Sequence, residues 1–466
     1  MHSSRSNRNM TPINIMVLYN LFTLILFRLS AWNYHVTNYT EIYLVVIINL
    51  ASLYIGYCLA IRSHHSNVLD ETLYENLEDN DSRVIPLLYK WTKIAAIIAI
   101  PDMLYYSRMW TFSPAQILQR LVIGLTESNL NYSLSLGYQN SGTIVEKVIV
   151  LLTVLLYTFR FAVLPLSILY WGKIEKKQKV LCVFVVTIDI MKWLLKGMNK
   201  GIFDYAFVFV ASALIVIATN RRQRQFSMEN SELPIKRTKR GRIVIIAGIV
   251  VFLAVNIFIM NIAARSSRLT TAYYSTSMQL SADPDNIILK MLPTSLHKPV
   301  LSLEMYLTCG YQGLSYALRL PFKWCFGIGN NQFMLSNIRD LGLDVTSRTY
   351  QARVEQAFPW QEFHNWHTTY TWLANDFSFY LLPIVFFVLG YVFALSWLSS
   401  VEKHNPYGII IFCLFIIRLA FLPANNIVLS SSFSFITWVV CIVLWYLSSH
   451  GIGIKLGRTV IFNQKY

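Results

Sequence analysis

Apolar residues in this chain run in long unbroken stretches, with neither the strict alternation of strands nor the one-sided spacing of surface helices. Ten stretches stand out, at residues 13–29, 42–61, 87–106, 145–171, 180–195, 202–219, 243–262, 380–397, 408–421 and 427–447. A bilayer core of about 30 Å calls for roughly 20 such residues per helix. The stretches at 180–195 and 408–421 are short and end at Gly, Pro or Asn clusters, so broken or partly re-entrant helices are expected there. The pattern predicts an all-α polytopic membrane protein of about ten transmembrane helices. Residues 1–262 would form an N-terminal bundle of about seven helices, 263–379 one large loop, and 380–466 about three more helices and a tail. The loop is rich in Tyr, Trp, Asn and His and has helical stretches such as 301–318, which predicts an ordered, partly helical unit at the membrane surface. Residues 114–125 have the spacing of an amphipathic helix lying along the interface. Asp70 through Asp81 reads as an acidic, solvated linker. Neither an internal repeat nor the inverted repeat of a secondary transporter is evident.

Composition agrees: 55% of residues are hydrophobic and 14% charged, against roughly a quarter charged in a soluble domain. The net charge of +16 lies in short clusters between apolar stretches, as the positive-inside rule requires, and no basic face suits nucleic acid. That rule puts both termini in the cytoplasm and the large loop on the outer side of the membrane. Arg5 and Arg8 precede a first stretch that runs on to Leu29 without a small-x-small cleavage site, so an uncleaved first helix is expected. The six cysteines show no metal spacing; Cys309 and Cys325 share the large loop, where a disulfide and two free thiols are both open readings.

Candidate chemistry concentrates just before the eighth stretch, in Trp360-Gln-Glu-Phe-His-Asn-Trp-His-Thr-Thr-Tyr370, expected at the outer water–lipid boundary. A belt of interfacial aromatics accounts for its Trp and Tyr but poorly for two histidines and a glutamate. His364 and His367 would share a helix face, and a neutral imidazole there can take a proton from a sugar hydroxyl, with Glu362 orienting it. No third ligand sits at metal spacing. Asp283-Pro-Asp285 reads as a turn, and Gly327 with Gly329 is too little for a phosphate loop. Cations near the outer face include Arg265 and Arg268 after the seventh stretch, and Lys192, Lys196 and Lys200 at every fourth position. The lysines suit either a ligand or local pairing, such as Lys192 with Asp189. Arg418, well inside the ninth stretch, favours function because an intramembrane charge is costly, and guanidinium groups bind phosphate oxygens bidentately. Arg160 lies deep in the membrane, where a structural hydrogen-bonding role is at least as fitting.

Several segments resemble one known family. Thr308-Cys-Gly-Tyr-Gln-Gly-Leu-Ser315 followed by Phe326-Gly-Ile-Gly-Asn330 is similar to the large outer loop of bacterial O-antigen and oligosaccharide repeat-unit polymerases (the Wzy type). So are Trp366-His-Thr368 through Asn375-Asp-Phe377 running into the helix of Gly390, Met198-Asn-Lys-Gly201 with Asp204, Arg268, and Pro423-Ala-Asn-Asn426. The resemblance covers most of the second half of the chain. It implies a GT-C-type membrane glycosyltransferase that needs no cofactor, no metal and no nucleotide sugar. Such an enzyme moves the growing glycan from undecaprenyl pyrophosphate to a new lipid-linked repeat unit, alongside a flippase and a chain-length regulator as partners. Mapped here, Arg265, Arg268 and Arg418 would hold the pyrophosphate, with Lys196 and Lys200 nearby. His364 or His367 would be the general base, and Tyr311, Asn365, Tyr370 and Asn425 would line the substrate site. The related O-antigen ligases carry a His-Asn pair, matched locally by His364-Asn365, so a ligase is the nearest alternative. A lipid-linked oligosaccharide flippase is the alternative from another class, but its polar residues belong at mid-membrane on repeated, broken helices.

Overall fold

The structure, a computed structural model, describes residues 9–65, 70–107, 109, 113–127, 130–131, 144–198, 200–229, 240–266, 273–276, 278–362, 365–452, 454–456 and 459–462. It is mostly helical: α1 (Thr11–Leu29), α2 (Tyr39–His65), α3 (Asp70–Ser107), α4 (Pro114–Thr126), α5 (Ile144–Tyr170), α6 (Lys176–Leu195), α7 (Lys200–Glu229) and α8 (Arg240–Ser266) come first. The segment expected as a large loop holds α9 (Ile287–Lys290), α10 (Thr294–Leu318), α11 (Gln332–Asp340) and α12 (Tyr350–Ala357), and then come α13 (Thr369–Glu402), α14 (Pro406–Ala420), α15 (Ile427–Ser430) and α16 (Ser432–His450). Short antiparallel pairs join β1 (Tyr274–Ser275) to β2 (Leu280–Ser281) and β3 (Ile454–Leu456) to β4 (Thr459–Phe462).

The ten apolar stretches are helical, the last interrupted at Ser431, and among the described residues seven helices are long and apolar enough to cross a membrane. Of the other three, α8 has its described side chains over Gly241–Ile257 only, and two fall short for physical reasons. Helix α6 carries Asp189 and Lys192 as well as its leading lysines, and α14 has 15 residues, about 22 Å at 1.5 Å per residue. The acidic stretch from Asp70 is not a linker but the opening of α3, and its last member, Asp81, is buried against Lys173 at 2.6 Å and His404 at 2.6 Å. The interfacial stretch forms α4 as expected, with Leu118 and Val122 exposed.

Contacts divide the chain into two units. One comprises Met1–Arg62, Ile262–Ala394 and Ile417–Phe435. In it α1 leads into Trp32, whose indole donates to the Leu301 carbonyl of α10 at 2.9 Å and packs with Ala31, Leu280, Ala282, Leu289 and Leu301. Helix α2 crosses α13 at glycines on both sides. A Cβ on Gly56 would stand 2.0 Å from the Phe387 carbonyl oxygen, and one on Gly390 would stand 2.0 Å from that of Leu53. Small residues let membrane helices approach this closely, where lipid offers no hydrophobic drive to associate. Helix α13 is two helical pieces joined at Ser378, whose φ of 53° is left-handed. The other unit comprises Ser63–Asn261, Leu395–Ile416 and Ile436–Tyr466 and is built on α3, α5, α6 and α7.

The glycine crossing generates a prediction. Gly56→Val and Gly390→Val should each destabilise the protein by about 1–3 kcal/mol or more, the range for overpacking a tight contact. Thermal unfolding in detergent reads this as a lowered Tm, and an unchanged Tm in both variants would refute the close crossing.

Candidate functional site

Helix α10 supplies the floor of the site because its small residues clear a path for other segments. A Cβ on Gly310 would meet the Pro423 carbonyl oxygen at 2.1 Å. A Cβ on Gly313 would meet the Trp366 carbonyl oxygen at 2.9 Å and the His367 ring nitrogen at 3.1 Å. The turn after α14 closes over the start of α13: the Thr369 N–H donates to the Leu422 carbonyl at 2.9 Å, and its hydroxyl to that of Asn425 at 3.0 Å.

A second turn joins the same assembly. Phe326 and Gly327 take successive positive φ values of 59° and 80°, which folds the backbone N–H groups inward in an anion-accepting nest. The Asp376 carboxylate fills that nest. It accepts from the N–H groups of Gly327 at 2.9 Å, Gly329 at 3.1 Å and Asn330 at 2.8 Å, and from the Asn330 amide at 2.7 Å. The glycine pair is therefore a carboxylate seat, consistent with setting aside a phosphate loop on sequence grounds. Asn375 adds bonds to the Gly329 carbonyl and to Gln351, and the Asn426 amide reaches the Asn330 carbonyl at 2.7 Å. Four segments far apart in sequence thus meet: 308–315, 326–330, 366–376 and 423–426.

Of the residues expected in the site, His367 sits at this junction, enclosed by protein. It is 1% exposed, and among the described residues neither ring nitrogen has a hydrogen-bond partner. Burial alone drives its pKa down to about 3, so the ring is neutral at physiological pH. Asn365 is buried with both side-chain atoms unpartnered among the described residues. Tyr311 is buried, its hydroxyl 3.0 Å from that of Thr23. Tyr370 is buried and stacked 5.1 Å from Phe386. Asn425 caps the following residue, accepting the Asn426 N–H at 2.7 Å, and Arg418 is buried in the last turn of α14. Glu362 is half-buried, and its pKa rises to about 7, chiefly through burial, with Glu355 adding to the rise and Arg339 opposing it. His364 and Arg268 lie outside the described residues, as does the side chain of Arg265 in α8.

The lysines belong to the other unit. Lys196 lies 4.1 Å from the Tyr106 ring centre, and Lys200 pairs with Asp204 at 3.7 Å, one turn on. Lys192 pairs with Asp102 at 2.8 Å and Asp189 at 3.4 Å, and Arg160 bridges the same two carboxylates. All four side chains are nearly inaccessible, and their formal charges cancel. Pairing thus accounts for Lys192, and a structural role for Arg160.

Glu304 and Cys309 complete the picture. Glu304, on α10, is the one carboxylate in an otherwise uncharged stretch from 299 to 318, the signal by which sequence could have found it. It is 2% exposed; one oxygen accepts the Ala31 N–H at 3.0 Å and the other has no partner among the described residues. Burial raises its pKa from 4.5 to about 7, with hydrogen bonds from Ser30 and Ala31 opposing. Cys309 and Cys325 are both buried free thiols.

Two predictions follow from these buried charges. Arg160→Ala strands two carboxylates with one lysine, and breaking a buried pair in this way costs about 3–5 kcal/mol; unfolding in detergent should show it as a large drop in Tm. For Glu304 the folded pKa is the higher one, so the native state holds the proton more tightly. The associated stability is present below about 4.5 and is lost as pH rises through about 7. Glu304→Gln, which keeps the acceptor for Ala31, should remove that pH dependence; an unchanged slope of Tm against pH would contradict the assignment. Compared with known protein families, curated proteins and solved structures, the chain finds no match.

Proposed function

We propose that this protein joins lipid-linked oligosaccharide repeat units into a bacterial surface polysaccharide, acting as a membrane glycosyltransferase with a polyprenyl-pyrophosphate-linked donor. The observation that carries this reading is the convergence of four of the polymerase-like segments, 308–315, 326–330, 366–376 and 423–426, around a neutral histidine.

In the proposed reaction, a hydroxyl of the acceptor repeat unit attacks the anomeric carbon of the donor glycan. The base is one of two histidines, His367 or His364, and takes the hydroxyl proton as the new glycosidic bond forms. Glu362 positions that base. The bond from the anomeric carbon to the pyrophosphate oxygen breaks, and the pyrophosphate leaves on its lipid. Arg265, Arg268 and Arg418 hold it and stabilise the charge that develops there. Asn365, Tyr311, Tyr370 and Asn425 border the glycan. The side-chain polar atoms of Asn365 and the Tyr370 hydroxyl, which lack partners among the described residues, suit a hydroxyl-rich ligand, because each buried donor or acceptor left unmade costs about 1–3 kcal/mol. The proposed setting is an inner membrane with the outer region on the periplasmic side, where lipid-linked sugars are joined after a flippase delivers them.

Deletion of the gene should leave the surface polysaccharide as a single repeat unit on its carrier. Arg268→Ala, Arg418→Ala, and whichever of His364→Ala and His367→Ala removes the base should fail to restore long chains at normal protein levels. Loss of the general base is expected to slow transfer by about 10²- to 10⁴-fold. Disappearance of the capped single unit would point instead to a ligase or flippase, and normal chain length in both arginine variants would remove the pyrophosphate assignment.

A further inference from the structure

The turn from Pro321 to Gly329 displays aromatic side chains that the unit carrying it leaves uncovered. Trp324 is 51% exposed and Phe326 54%, and Phe322 and Lys323 beside them are exposed as well. Their arrangement is ordered. The Trp324 and Phe326 rings pack 5.0 Å apart, and the Arg348 guanidinium lies 5.1 Å from the Phe326 ring centre. Arg348 also donates its Nε–H to the Trp324 carbonyl at 2.8 Å. Among the described residues neither Lys323 nor Arg348 forms an ion pair with a carboxylate. Leaving a large aromatic side chain in water forgoes about 1.5–3 kcal/mol relative to burying it, so a turn held rigidly in this state calls for something that covers it.

Two observations say what that is. First, the turn is bolted to the start of α13, through the Asp376 carboxylate and through the Cys325 N–H, which donates to the Asn375 carbonyl at 3.1 Å. Just beyond that anchor α13 becomes a membrane helix whose outward side is apolar and bare: Tyr380 is 92% exposed, Ile384 63% and Val388 52%. The exposed aromatics are therefore tied to the end of α13 at which its bare apolar side begins. Second, the exposed charges beside the aromatics are cations, Lys323 in the turn and Arg348 packed against it, while Asp376 is buried and spends its carboxylate on the turn's own N–H groups. Amphipathic aromatics settle at the headgroup level, and each Lys or Arg near an anionic leaflet adds about 1 kcal/mol.

We propose that the Pro321–Gly329 turn, with Arg348, is a bilayer-interface anchor. Trp324 and Phe326 sit at the boundary of headgroups and acyl chains, and Lys323 and Arg348 engage phospholipid phosphates. Asp376 sets the depth of the turn by fixing it to α13. The anchor belongs to the outer region as a membrane-bound body and does not depend on what reaction that region performs.

The test uses the full-length protein in native membranes with p-benzoylphenylalanine in place of Phe326, and in a second sample in place of Tyr380. Irradiation followed by intact-protein mass spectrometry should give a glycerophospholipid adduct from both positions. A phospholipid adduct from position 380 with none from 326 would overturn the proposal. So would a cross-link from 326 to another protein, or an adduct made of polyprenyl lipid alone. Adding Asp376→Asn should abolish the adduct at 326 and preserve that at 380; an undiminished yield at 326 would show that Asp376 does not hold the turn in place.

Discussion

Asp376 spends its negative charge on the protein's own backbone. A carboxylate has about four lone-pair directions to satisfy, and here three backbone N–H groups and one amide fill them. Because these bonds reach from the first piece of α13 back to residues 327–330, they close a loop of nearly fifty residues. Within that loop α11, α12, Trp360 and His367 must find their places. Asn375, the preceding residue, locks the same joint from its other side by accepting the Tyr350 N–H at 2.8 Å. The left-handed backbone at Ser378 follows at once, so α13 changes course where the clamp ends and the membrane helix begins. The positions of the histidine, of the turn at Pro423 and of the exposed aromatics all descend from this one joint.

The two units bury polarity in opposite ways. In the unit built on α3, α5, α6 and α7, full charges are buried, and every one is answered: Asp102 and Asp189 against Arg160 and Lys192, Asp81 against Lys173 and His404, Glu402 against Arg222 at 2.6 Å and His64 at 2.8 Å. Such networks tie helix to helix. In the other unit several buried uncharged groups lack a partner among the described residues, the His367 ring, the Asn365 amide, the Gln312 side-chain oxygen and the Trp372 indole included. Low dielectric makes an unanswered polar atom expensive, so the cluster around His367 and Asn365 has capacity to receive something.

Much of the helical framework was legible in the sequence because apolar runs leave a chain few alternatives inside a bilayer. The ten stretches are helical, and 114–125 is the amphipathic helix its spacing announces. What escaped were features decided by distant partners. Asp70 through Asp81 looks solvated, yet Asp81 is buried because Lys173 and His404 arrive from elsewhere to meet it. Arg160 could be sensed as structural from its depth, and Lys192 could be paired with Asp189 from their spacing, but Asp102 joins both from another helix. His367 stands out in the sequence as a candidate, but its enclosure does not: the space that holds the ring is made by Gly313, more than fifty residues earlier. The kink at Ser378 has no local signature at all, since serine has no preference for left-handed backbone and the clamp beside it imposes the shape.

The two glycines where α2 crosses α13 have an implication for how such a sequence can drift. Gly56 lies against the carbonyl at Phe387 and Gly390 against that at Leu53, so each glycine opens the space in which the other helix's backbone rests. Enlarging one residue alone moves the helices apart and deprives the second of its reason to be small. The pair forms a single inherited character: related chains should carry both glycines or replace both, and a lineage that has lost one should show larger side chains at the other within the same interval of descent.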